Sequence, residues 1–328
     1  MKWAALILFL CTAFGCDAPT ASPTPTSPRW RPAEAPPPPR LSETGLFAHL
    51  WTLTPRADAI PYEPPHALWS NGAEKHRFLW LSEDAKIDPT TAGGWTFPVG
   101  AVAVKTFTFD HVEGRGEAVP IETRLIIRGE EEWSYAVYHW NVEGTEARLL
   151  LDNWDEVPLR LRAVAGNEYP YAIPAQLDCR GCHETQPGAP IIGISPDNFD
   201  HTLSSAFTST PEITAFPARN AAEAAVMGYL VGNCVHCHHG VPGPDNASYS
   251  LRPQDLVEAT VNVPTDSSAS GVGVRVVPGD AEGSALYEAV VEAGTADYPG
   301  DFKPMPPVGS IWTDPDVPAL LTRWIESL

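Results

Sequence analysis

Asn233-Cys234-Val235-His236-Cys237-His238-His239-Gly240 is the stretch from which the rest of the chain can be read. It contains C-x-x-C-H, the spacing at which a c-type haem is anchored. Two cysteines three apart fall within one helical turn, which puts both sulfurs on the same side. From there they can form thioethers to the two haem vinyl groups. The histidine directly after the second cysteine presents a ring nitrogen to the iron. A second copy stands upstream as Cys179-Arg180-Gly181-Cys182-His183. Of the 6 cysteines, Cys11 and Cys16 lie at the extreme N-terminus and the other four make up the two motifs. Two C-x-x-C pairs also suit zinc. Here the gap between the pairs is much longer than usual zinc-ribbon spacing, and a histidine follows each pair at once. The reading is therefore two haem c groups, attached through Cys179, Cys182, Cys234 and Cys237. His183 serves the first iron and His238 the second.

Around the second motif the pattern is helical. Asn220 caps a helix from Ala221 to Val231, with Glu223 at its third position, and the helix runs into Cys234. Asp280 caps a helix from Ala281 to Ala293, which Gly294 ends. Asp314 or Asp316 starts a last helix, with Val317, Leu320, Leu321, Trp324 and Ile325 on one face. Before that helix comes Lys303-Pro304-Met305-Pro306-Pro307. A methionine between prolines in a polar loop makes a poor core residue, so Met305 is read as the sixth ligand of the second iron. Met227, seven residues before Cys234, reads as a core contact instead. No methionine is equally placed for the first iron. His201, His139 and His76 are its alternatives, each better read as structural. His236 and His239 are assigned no role.

Residues 41–175 read as a β-rich domain. Ala101 to Phe109, Glu122 to Arg128, Trp133 to Asn141, Glu146 to Leu151 and Leu159 to Val164 carry β-branched and aromatic residues at hairpin-like spacing. An antiparallel β-sandwich or barrel-like domain is expected there. Its tryptophans (Trp51, Trp69, Trp80, Trp95, Trp133, Trp140 and Trp154) read as core more readily than as a binding surface. Residues 176–219 form a first haem-binding segment, too short for a domain of its own. It should pack against the β domain or the second haem domain. The whole is a multidomain β + α chain, with an all-α domain at 220–328.

Residues 1–15 have the layout of a secretory signal peptide, with an apolar run too short to span a bilayer. The small residue before Cys16 resembles a bacterial lipobox, which would make Cys16 the lipidated N-terminus. Residues 16–40 then read as a lipid-anchored, Pro-rich linker that holds the folded part clear of the membrane. Across the 328 residues, Asp and Glu outnumber Lys and Arg by 41 to 21, a formal charge of −20. No basic stripe is present, so nucleic acid is not expected as a partner. The expected location is periplasmic or extracytoplasmic, on a bacterial membrane.

The chain resembles exported diheme c-type cytochromes with an N-terminal β module. The resemblance covers roughly residues 41–328. It is carried by Leu41 to Phe47, Leu68 to Lys75, Phe97 to Gly100, Lys105-Thr106-Phe107 and Glu122 to Leu125. The two haem motifs, Val277 to Asp280 and Met305-Pro306-Pro307 complete it. Asn71 stands where such a module is expected to have aspartate. The C-terminal part also resembles the cytochrome c domains fused to many bacterial dehydrogenases. What the resemblance implies is haem c attachment and electron transfer between redox partner proteins, with no substrate named. The alternative is catalysis at the first haem, as in a diheme peroxidase or other haem oxidoreductase. A third reading makes the β domain a docking module for a partner dehydrogenase.

Overall fold

The computed structural model describes residues 30–90, 94–110, 112, 118–150, 155–162, 168–185, 190–241, 247–265, 273–291, 305–306, 310 and 313–328. The signal peptide, Cys16 and the linker up to residue 29 lie outside the described residues, as does Trp154.

A short hairpin of β1 (Phe47–His49) and β2 (Thr54–Pro55) precedes a six-stranded antiparallel meander. The meander's strands are β3 (Ile60–Pro61), β4 (Glu74–Trp80), β5 (Val102–Phe109), β6 (Val119–Arg128), β7 (Trp133–Trp140) and β8 (Ala147–Leu149), adjacent in sequence order. A separate hairpin of β9 (Asp155–Arg162) and β10 (Glu168–Ile173) follows. The antiparallel β region is as expected: the described strands form one six-stranded sheet and two separate hairpins. The β9–β10 hairpin lays Tyr171 and Ile173 on one face of the sheet, against Phe107, Phe109 and Val137. Coil, short 3-10 turns and one helix complete the cover.

The strands have a period of two, so register decides what each face carries. Phe78, Val104, Leu125 and Ala136 lie side by side on one face. Trp30, Leu41 and Leu46 bury this face together with Trp80, Tyr138 and Trp140. Part of the expected linker is therefore structure. Trp30 is only 5% exposed, Pro38 accepts a hydrogen bond from the Tyr138 hydroxyl at 2.8 Å, and Pro39 accepts one from the Leu149 amide at 3.0 Å. Any spacer ends before Trp30.

The opposite face carries Leu79, Ala103, Phe107, Tyr135 and Val137. It is covered in two parts. Ile191, Ile194, Phe199, Leu203 and Phe207 lie over Leu79 and Ala103, and Cys179 of helix α1 (Gln176–His183) joins Phe107, Tyr135 and Val137. Of the tryptophans, Trp80, Trp95 and Trp140 are buried, Trp69 and Trp133 are half-buried, and Trp51 is exposed. Core filling accounts for most of them.

The C-terminal region is built from helices α2 (Ala221–Asn233), α3 (Leu256–Thr260), α4 (Ala285–Val291) and α5 (Val317–Glu326). The Asn220 side chain accepts from the Glu223 amide at 2.9 Å, the expected cap on α2. Asp280 acts differently from expectation. Its carboxylate accepts from the Gly283 amide at 2.9 Å, closing a turn, and α4 begins only at Ala285. The stripe on α5 is as read: Val317, Leu321, Trp324 and Ile325 are buried against Leu230, Val231, Leu286 and Val290. Met227 is buried in the same core.

The two regions are locked together by polar contacts. Asn233 accepts from the Trp69 amide at 2.7 Å and donates to Ala67 O at 3.2 Å. Asn198, in the coil over the sheet, braces the same segment by accepting from the His66 amide at 3.0 Å and donating back to His66 O at 2.9 Å. Two glycines let α2 come this close. A Cβ on Gly232 would lie 2.8 Å from both His66 O and Ala67 O, and one on Gly228 would lie 2.5 Å from the His66 ring.

Candidate functional site

The two C-x-x-C-H motifs, 51 residues apart at their contact, meet where the sheet region joins the helices. Thr185, just after the first motif, hydrogen-bonds the carbonyl of His236 inside the second. The Cys182 and Cys237 thiols are hydrogen-bonded to each other. The remaining two cysteines turn away from this contact. Cys179 is buried against the sheet, and Cys234 packs on the helical core. Each motif thus sets its first cysteine in its own half of the molecule and presents its second to the other motif.

Local structure explains this. Cys179 and Cys182 lie on α1, less than one turn apart along it. Cys234 ends α2, and the amides of Cys237 and His238 bond back to Cys234 O at 3.0 and 2.9 Å, which continues the helical turn. Both pairs therefore lie within one helical turn, as the spacing implies.

Burial controls the electrostatics. It pushes the Cys179 thiol up to about 11 and the Cys234 thiol up to about 12. Cys182 is held low by the hydrogen bond from Cys237 and by the His236 ring beside it. Burial lowers both His183 and His238 to about 4, so both rings are neutral at neutral pH, the form in which imidazole binds a metal.

The two histidines are held differently. His183 Nδ1 donates to the Pro190 carbonyl at 2.6 Å, and its ring lies 5.9 Å from the Tyr135 ring on β7. A donated Nδ1 proton fixes the tautomer and leaves Nε2 as the ligating nitrogen. His238 sits 4.8 Å from the Tyr249 ring, and its Nδ1 is buried with no hydrogen-bond partner among the described residues. Met305 lies at the edge of the helical core on which Cys234 packs, and its amide donates to Ala289 O at 2.8 Å. Its neighbours at 301–304 and 307–309 are outside the described residues.

Among the histidines weighed for the first iron, His76 is exposed on the sheet face opposite Cys179. His201 is exposed on a 3-10 turn against Phe199. His139 is on the same face as Cys179, opposite Glu122. Among the described residues no three His, Cys, Asp or Glu side chains gather as a metal cluster. Cys179 and Cys234 point into separate cores, so a four-cysteine zinc site does not assemble. A haem iron takes one or two protein ligands and needs no such cluster. Two surface clefts, one near Trp95 and Ile213 and one near Tyr62 and Asp200, are lined by no residue of either motif.

Sequence reading missed a charged row beneath the first motif. Arg77, Lys105 and Arg124 are direct cross-strand neighbours on β4, β5 and β6. Glu122 is fully buried and pairs with Arg124 at 2.7 and 2.9 Å, and the Tyr171 hydroxyl also bonds it. The period-two pattern puts Lys105 and Phe107 on one face, but which cations align across strands depends on register. Compared with known proteins, the chain matches no family model, no curated protein and no solved structure.

Proposed function

We propose that the protein is an extracytoplasmic, membrane-tethered diheme c-type cytochrome that passes electrons between redox partner proteins. The observation that carries this reading is the meeting of the two C-x-x-C-H motifs, with four free cysteines and two half-buried histidines held neutral. Groups attached at two motifs that touch would be held close to each other, as electron passage between them requires. Bound haem supplies a one-electron iron couple.

The chain's own residues do the rest. Cys179, Cys182, Cys234 and Cys237 would tie the two groups covalently, and His183 and His238 would hold the irons. Pro190 O orients His183, and Met305 would be a further ligand to the second iron. The all-α domain at 220–328 is, in this reading, the cytochrome c-like half, tethered through Cys16. A methionine is assigned to one iron alone, so the two couples differ. Thioether favours reduced iron relative to imidazole, which makes the second haem the higher in potential.

Intact-mass analysis of periplasm-matured protein tests the reading. Two haem additions are expected, one lost on substituting Cys179 and Cys182 and the other on substituting Cys234 and Cys237. Near-infrared spectra of the oxidised protein should show one His/Met band, absent in Met305→Ala. Bound zinc without haem would end the proposal.

A further inference from the structure

The row Arg77–Lys105–Arg124 has a feature that packing alone does not account for. Like charges directly opposite one another on neighbouring strands are unfavourable, and here three stand in line. The two outer cations are already paired. Arg77, 5% exposed, bonds Glu63 at 2.7 Å, and Arg124 is held by Glu122. The middle one is not. Lys105 Nζ rests 4.6 Å from the Phe107 ring centroid and has no hydrogen bond or ion pair among the described residues. Burial, then the charges of Arg77, Arg124 and Lys75, lower its pKa well below the usual lysine range, with Glu122 opposing them. The lysine nearest in effect is occupied: Lys75 Nζ donates to Leu68 O at 2.9 Å. Glu122 offsets part of this charge but is itself committed to Arg124, so an ammonium at this mid-sheet position gains from a further anion.

The first motif is what lies above. Phe107, the ring under Lys105, shares its apolar cluster with Cys179. Tyr135, two residues along β7 from Val137, the row's neighbour there, faces His183. Lys105 and Arg124 are also the sheet cations whose charges reach His183 and Cys179.

We propose that Lys105, flanked by Arg77 and Arg124, is the carboxylate-binding position for the group held by Cys179, Cys182 and His183, taking a haem propionate. The inference rests on the haem reading above. The shared chemistry is an anionic oxygen, so a small free oxyanion is the competing source. An ammonium paired at this position favours the reduced iron by charge alone. Removing it therefore lowers that iron's potential.

The test uses mature holoprotein and compares wild type with Lys105→Met, Lys105→Gln, Lys105→Arg and the surface control Lys86→Met. Intact mass counts haems, and spectroelectrochemical titration reads both midpoint potentials, with and without added sulfate. The expected result is two haem additions throughout. One potential falls in Lys105→Met and Lys105→Gln, is restored in Lys105→Arg, is unmoved in Lys86→Met, and is insensitive to sulfate. Two haems with unchanged potentials in both neutral variants would overturn the assignment. A saturable sulfate shift in wild type, absent in the neutral variants, would also overturn it by showing a free anion in the site. Wild type without haem would instead overturn the haem reading itself, and this inference with it.

Discussion

The two motifs have the same five-residue pattern and are held in opposite ways. The first rides on an eight-residue helix laid on a β-sheet, where cations and a buried Glu122 lie beneath it. The second ends a thirteen-residue helix inside an apolar core of Leu230, Leu286, Leu321 and Trp324. Local spacing fixes where the sulfurs go. The surroundings fix whether the site is polar or apolar, and so tune what each site does.

The largest change expected within this contrast is in the helical half. Trp324 is fully buried, and Trp324→Ala should cost about 3–5 kcal/mol. Denaturant unfolding followed by far-ultraviolet dichroism should show helices lost early, while hydrogen exchange in β5 to β7 stays protected. If the sheet loses protection equally, the two regions form one cooperative unit and the contrast is only local.

A smaller change probes the joint between them. By helix propensity alone Gly232→Ala would stabilise α2 by about 1 kcal/mol. The added Cβ would meet two backbone carbonyls at 2.8 Å, and overpacking of that kind costs about 1–3 kcal/mol. The clash should win. The denaturation midpoint should fall, and a rise would mean that α2 does not sit tightly on the 66–68 turn.

The smallest effect concerns His66, which stacks 5.2 Å from Phe216 at the joint. Burial lowers its pKa from 6.5. A histidine depressed in the folded state binds its proton more readily when unfolded. Its contribution is complete above about pH 6.5 and is lost as pH falls below that value toward the folded pKa. His66→Phe should therefore flatten the stability profile as pH falls below 6.5, measured by thermal unfolding. An unchanged acid limb would assign the loss to other groups.

Much of this was legible in the sequence because it is local. Strands β5, β6 and β7 follow from alternation, and α2 from its Asn220 cap. The stripe Val317, Leu321, Trp324 and Ile325 marks α5. What escaped is what depends on distance or on neighbours. β4 opens with Glu74-Lys75-His76-Arg77, which looks like a charged loop until the sheet supplies partners for its backbone. Trp30 and Pro36 to Pro39 have the composition of a spacer, and only the sheet shows where Trp30 is buried. The contact of Thr185 with His236 joins residues that no periodicity connects. The cation row exists only once three strands are in register.

The sheet's two margins bear on how a partner can approach. An edge strand with free amides and carbonyls invites another chain to add a strand, in docking or in aggregation. Here β3 has two residues, one of them Pro61, which has no amide to offer. Beyond β8, the Pro38–Arg40 segment lies along the strand, with Leu149 bonded to Pro39 and Arg40 bridged to Arg148. Both margins are stoppered. Addition of a further strand is blocked at these two margins, so the six-stranded sheet ends where its own chain ends it.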